Sequence, residues 1–118
     1  MPKTFAALSL LLLCACSDAP AVLTEFAPVI SDMAHMLMES DRSGEVPESE
    51  WPYAIADVLH PEAIRIEEEG VYILTSAFLA SETGVFVPRH PKLFTPVPGA
   101  DPEYNRVALD VYTYKVRG

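Results

Sequence analysis

The chain has 118 residues and a formal net charge of −9, from 17 carboxylates against eight Lys and Arg. That balance excludes the basic surface on which nucleic-acid binding rests. Both cysteines, Cys14 and Cys16, lie near the N-terminus, so the rest of the chain has no thiol for a disulfide, a zinc site or a nucleophile. The remaining length and apolar content suit one small domain with one core.

Lys3 precedes an apolar run over residues 5–13, and small residues follow it. This is the layout of an export signal. The run is too short for a membrane-spanning helix, which takes roughly 20 residues. Leu13-Cys14-Ala15-Cys16 resembles the lipobox of bacterial lipoproteins. The resemblance implies cleavage before Cys16, diacylation of its thiol and acylation of the new amine. Cys14 is the weaker acceptor, because the bulky Leu13 precedes it. Residues 1–15 are then the signal peptide, 16–22 a lipidated tether and 23–118 the domain. Two or more acyl chains hold a protein on a membrane stably. Ser17, rather than Asp, follows Cys16, which favours the outer membrane over the inner one, with the domain facing the periplasm.

Leu23, Phe26, Ile30, Met33 and Leu37 recur at spacings of three and four, one apolar stripe of a helix from about 24–28 to Ser40. Thr24 is a candidate N-cap, Pro28 marks a start or a kink, and Gly44 follows the C-terminus. Residues 45–50 form an acidic loop. A short helix follows, with Ser49 as N-cap and Pro52 in the first turn. Its apolar side is Trp51, Ile55, Val58 and Leu59, and His60-Pro61 ends it.

Residues 63–67 alternate apolar and polar, Glu69-Gly70 turns, and residues 71–75 return as a second strand. Ser81-Glu82-Thr83-Gly84 reads as another turn before a strand over 85–87. Gly70-Val71-Tyr72-Ile73 and Gly84-Val85-Phe86-Val87 echo each other, which reads as repeated turn-into-strand chemistry. Five prolines make residues 88–105 an extended loop. Residues 106–116 read as one final strand, with Tyr112 and Tyr114 sharing a face. The expected fold is α+β, with one long and one short helix packed on a small, mostly antiparallel sheet of about four strands.

His35, His60 and His90 share no ligand spacing, and His60 and His90 each precede a proline, so no metal or other cofactor is expected. Glu67, Glu68 and Glu69 sit at a hairpin tip where solvated carboxylates make no acid–base pair. There is no nucleophile elbow and no Gly-rich phosphate loop, so no enzyme activity is expected. Charge is uneven: residues 17–69 hold 13 acids against Arg42 and Arg65, and residues 70–118 hold four acids against five bases. An acidic, lipid-anchored domain suits capture of a basic protein. In type, though not in any motif, it is similar to immunity proteins that neutralise a basic toxin aimed at the cell envelope. The alternative is a structural or assembly accessory of an envelope complex. The expected partner-binding residues are Glu67, Glu68 and Glu69, with an exposed aromatic face of Tyr72, Tyr112 and Tyr114.

Overall fold

The computed structural model describes residues 18–117. The export signal and Cys16 lie outside the described residues. In chain order come α1 (Asp18–Glu39), β1 (Gly44–Glu45), a 3₁₀ turn (Glu48–Glu50), α2 (Tyr53–Leu59), β2 (Ala63–Ile66), β3 (Gly70–Phe78), β4 (Ser81–Pro88), β5 (Glu103–Ala108) and β6 (Val111–Val116). The strands form one sheet in the order β1-β2-β3-β4-β6-β5, every neighbouring pair antiparallel. The α+β expectation with two helices holds. The sheet has six strands rather than about four.

The two extra strands come from chain that reads otherwise in sequence. The expected single strand over 106–116 is a hairpin: Ala108 pairs with Val111, and Leu109-Asp110 turn between them. Leu109 takes a positive φ of 54°, and the Arg106 guanidinium donates to its carbonyl oxygen at 2.7 Å. The second addition is β1, which pairs Gly44 with Ile66 and Glu45 with Arg65 inside the expected acidic loop. The residues expected to turn at 81–84 are strand. The actual loop between β3 and β4 is Leu79-Ala80, since Phe78 pairs with Ser81.

The long helix starts earlier than its stripe suggests, taking in residues 18–22 of the expected tether, and Thr24 is interior rather than an N-cap. Pro28 lies within α1 on an exposed position, so its missing amide hydrogen bond falls on the solvent side. Leu23, Ile30 and Leu37 are buried as their spacing predicts, with Ala27 and Ala34 between them. Those two alanines let the helix lie close on the sheet. The chain leaves α1 through Asp41, at φ 61°, rather than through Gly44. Pro52, not Ser49, precedes α2. His60 then closes α2 in the left-handed conformation, ahead of Pro61.

The sheet buries both faces. On one, α1 and Ile55 of α2 cover Ile64, Ile66, Val71, Ile73, Val85, Val87 and Val111. On the other, Tyr72, Phe86, Tyr112 and Tyr114 pack with Phe94 of the Pro-rich segment and Tyr104 of β5. Gly70 and Gly84 sit in strands, not turns. A β-carbon on Gly70 would lie 2.2 Å from the Val87 carbonyl oxygen and 2.9 Å from the Phe86 ring. One on Gly84 would lie 2.1 Å from the Ile73 oxygen and 2.9 Å from the Tyr114 ring. The echoed glycines therefore share a packing role, each giving an aromatic ring room on the backbone.

Candidate functional site

The tyrosine face is closed. Tyr72, Tyr112 and Tyr114 are 8%, 8% and 2% exposed, against the expectation of an exposed docking face. Phe94, Tyr104 and Val116 cover it. Residues 89–102 fold back across the sheet, and the Phe94 ring stands edge-on to Tyr104 and Tyr112, at 5.0 Å from each, and 5.1 Å from Phe86. The Tyr72 and Tyr104 hydroxyls meet at 2.7 Å, and the Tyr114 hydroxyl donates to Glu82 at 3.2 Å. Burial pushes the Tyr72 phenol far above its ordinary range, and the Tyr104 hydroxyl adds to the shift. Burial also raises Tyr114, and the Glu82 carboxylate reinforces it. These tyrosines support the surface from beneath.

The turn that carries Glu67, Glu68 and Glu69 is held by Arg89. Its guanidinium donates to the Glu67 carbonyl oxygen at 2.9 Å, the Glu68 oxygen at 3.0 Å and the Met38 oxygen in the last turn of α1 at 3.4 Å. The Arg89 amide also donates to the Glu69 oxygen at 2.8 Å. A cation at a helix C-terminus complements the negative end of the helix dipole. One side chain thus joins the β2–β3 turn to the end of α1. Glu68 and Glu69, which are exposed, come to the same end of the molecule as Glu39 and Asp41. Glu67 leans towards Arg65, at 3.8 Å.

The acidic surface continues along the outer side of α1. Glu25, Asp32 and Glu39 are exposed at seven-residue spacing, and beside them run Val22, Val29 and Met36 at the same spacing. Seven residues is close to two helical turns, so each set makes a row. Both rows are legible in the sequence, but the inward stripe is the stronger signal and conceals them. Near Met36 a groove of about 290 Å³ opens between α1 and Pro52, with Arg42 and Glu50 bonded at 2.7 Å on its rim.

On the side of α1 away from α2, His35 Nε2 lies 2.7 Å from Asp110 Oδ2. Burial alone would raise the Asp110 carboxyl; the hydrogen bonds from Ser31 and His35 outweigh it and hold the group below the ordinary carboxylate range. This pair ties the β5–β6 turn to α1 and is part of the frame. Among the described residues, no group of three or more His, Cys, Asp or Glu could hold a metal ion.

At the opposite end a cavity of about 590 Å³ lies between Val22 and Leu23 of α1, Val58 and Leu59 of α2, and the sheet residues Thr75, Thr83, Val85 and Thr113. The hydroxyls of Thr75 and Thr113 turn into the sheet, donating to the Thr83 and Asn105 carbonyl oxygens at 3.2 and 3.4 Å. The acidic end built around Glu39, Asp41, Glu68 and Glu69 is therefore the candidate functional surface. Comparison with known proteins finds no matching family model, no matching curated protein and no matching solved structure.

Proposed function

We propose that this chain is a membrane-anchored periplasmic lipoprotein that acts as a non-catalytic protein-binding module, and that its acidic end captures a basic partner. Cys16 carries the anchor, and the outer membrane is favoured over the inner. The partner class is a basic toxin directed at the cell envelope, which the chain would neutralise as an immunity protein does. The single observation behind this reading is the Arg89 brace, which gathers acids from α1 and from the β2–β3 turn into one surface. A field of one sign there speeds the encounter with a basic protein and weakens with salt.

The test uses the full-length protein in detergent as bait for periplasmic and secreted proteins. A basic hydrolase that co-purifies and is inhibited at equal stoichiometry supports the reading. Charge reversal by Glu68→Lys with Glu69→Lys is expected to slow association about tenfold or more at low salt, with the difference shrinking as salt rises. An unchanged on-rate at low salt removes this surface from the interface.

A second reading is a structural or assembly accessory of an envelope complex. The row Val22, Val29 and Met36 favours it, because seven-residue apolar spacing on an exposed helix suits the seam of a second helix. Met36 is 63% exposed, so Met36→Lys should leave the fold intact. Loss of partner on that substitution, with Glu68→Lys and Glu69→Lys neutral, selects this reading.

A further inference from the structure

We propose that the apolar tip of the β3–β4 hairpin, residues 77–80, seats in the phospholipid bilayer beside the N-terminal anchor. This rests on the reading of Cys16 as the anchoring residue. Phe78 and Leu79 are 74% and 92% exposed. They are adjacent at the end of a hairpin whose residues 75–81, Thr-Ser-Ala-Phe-Leu-Ala-Ser, carry no charge. An exposed apolar patch of this kind marks a contact surface.

The fold indicates what the tip contacts. Thr75 and Thr83, at the base of the tip, wall the same cavity as Val22 and Leu23 of α1. From Thr75 the strand runs three more residues to Phe78, about 10 Å at ~3.3 Å per residue. From Val22 the helix runs back four residues to Asp18, about 6 Å at ~1.5 Å per residue. Met38 and His35, farther along α1, contact Arg89 and Asp110 at the other end of the sheet. The helix start and the hairpin tip therefore extend from the same end of the domain, to similar depth. Cys16 stands two residues before that helix start.

The charge of the tip itself agrees with this placement. Two of the acids at the tip end are paired: Glu82 accepts from Arg65 at 2.7 Å, and Glu103 from Arg117 at 2.8 Å, while Asp57 and Glu62 are exposed. Lys115, exposed on β6 opposite Thr83 in the register, adds a cation suited to phosphate headgroups. In sequence the acid row of α1 starts with Asp18 at the helix start, and Glu25 follows about 10 Å along the axis. A bilayer held at this end meets the apolar tip first, with Lys115 beside it, and Glu39, Asp41, Glu68 and Glu69 lie at the opposite end. Two contacts, acyl chains and hairpin, would fix the orientation of the domain where acyl chains alone leave it free to swivel.

The experiment reconstitutes the full-length protein in vesicles of phosphatidylethanolamine and phosphatidylglycerol, with and without brominated acyl chains. Phe78→Trp places a fluorescent reporter in the tip. The wild type, whose Trp51 lies away from the tip, is the reference, and Leu79→Trp is a second reporter should the first misfold. The expected result is a blue-shifted emission from the added Trp, with about half or more of it quenched by the brominated chains. Mass spectrometry of the N-terminal peptide reads the acylation of Cys16 separately. Acylated Cys16 with no quenching at the tip overturns this proposal and leaves the anchor standing. Quenching with an unmodified Cys16 supports bilayer contact and overturns the anchor. A blue shift on native membranes alone, and not on the vesicles, assigns the tip to a protein and overturns the proposal.

Discussion

At Gly84 the sheet leaves no space for a β-carbon, since the nearest obstruction is backbone: the Ile73 carbonyl oxygen at 2.1 Å. A flexible side chain could yield, but a strand centre cannot do so cheaply. Gly84→Ala is expected to destabilise the domain by about 2 kcal/mol or more in urea unfolding. Asp110 makes a different contribution. Its folded-state pKa lies below the ordinary 3.8, so the ionised form is favoured by folding. The stability it adds is present at neutral pH and is lost as pH falls through about 4 and below. Asp110→Asn should lower stability by about 1 kcal/mol at neutral pH and by much less at about pH 3, a difference that unfolding at the two pH values reads directly. Neither role is visible in sequence alone. Gly84 stands among polar and β-branched residues as a turn glycine would, and the ring and carbonyl that exclude a side chain come from Tyr114 and Ile73.

The elements divide according to the kind of signal they carry. The inward stripe of α1 and the alternation of β2 are periodic, and periodicity survives into the structure because one face of each element meets the core. The hairpin loops carry no such signal. Leu79-Ala80 and Leu109-Asp110 contain neither Gly nor Asn, and Leu79 and Leu109 hold φ values of 57° and 54° against their own preference. That cost, about 1–2 kcal/mol each, is offset by the strand pairing on either side. Residues 106–116 therefore read as one strand when Leu109-Asp110 turn between two. The Pro-rich segment was legible as a loop, but its purpose was not. Phe94 makes it a lid on the aromatic layer. Phe94→Ala should cost about 2 kcal/mol, a shift readable in thermal unfolding, and should raise binding of a dye specific for exposed apolar surface as Tyr104 and Tyr112 are uncovered.

For the whole molecule, Arg89 is the residue that connects the ends of three elements. Arg89→Ala removes donors to three carbonyl oxygens and should cost about 1–2 kcal/mol. The same substitution should speed amide exchange at residues 67–70 more than at the strand centres. It would also loosen the acidic surface that we assign to partner capture, linking stability to association in one variant. The acidic, thiol-poor composition after Cys16, the two helices, the α+β class and the apolar stripe of α1 were determined by the sequence itself, because each is a local pattern of charge, spacing or side-chain type. Tertiary structure decided that the sheet has six strands and that Tyr72, Tyr112 and Tyr114 lie beneath Phe94, Tyr104 and Val116. It also decided that Glu68 and Glu69 join Glu39 and Asp41 at one end, while Phe78 and Leu79 project from the other. Those arrangements depend on which strands pair and which way α1 crosses the sheet, and such contacts join residues far apart in the chain, beyond the reach of any local pattern.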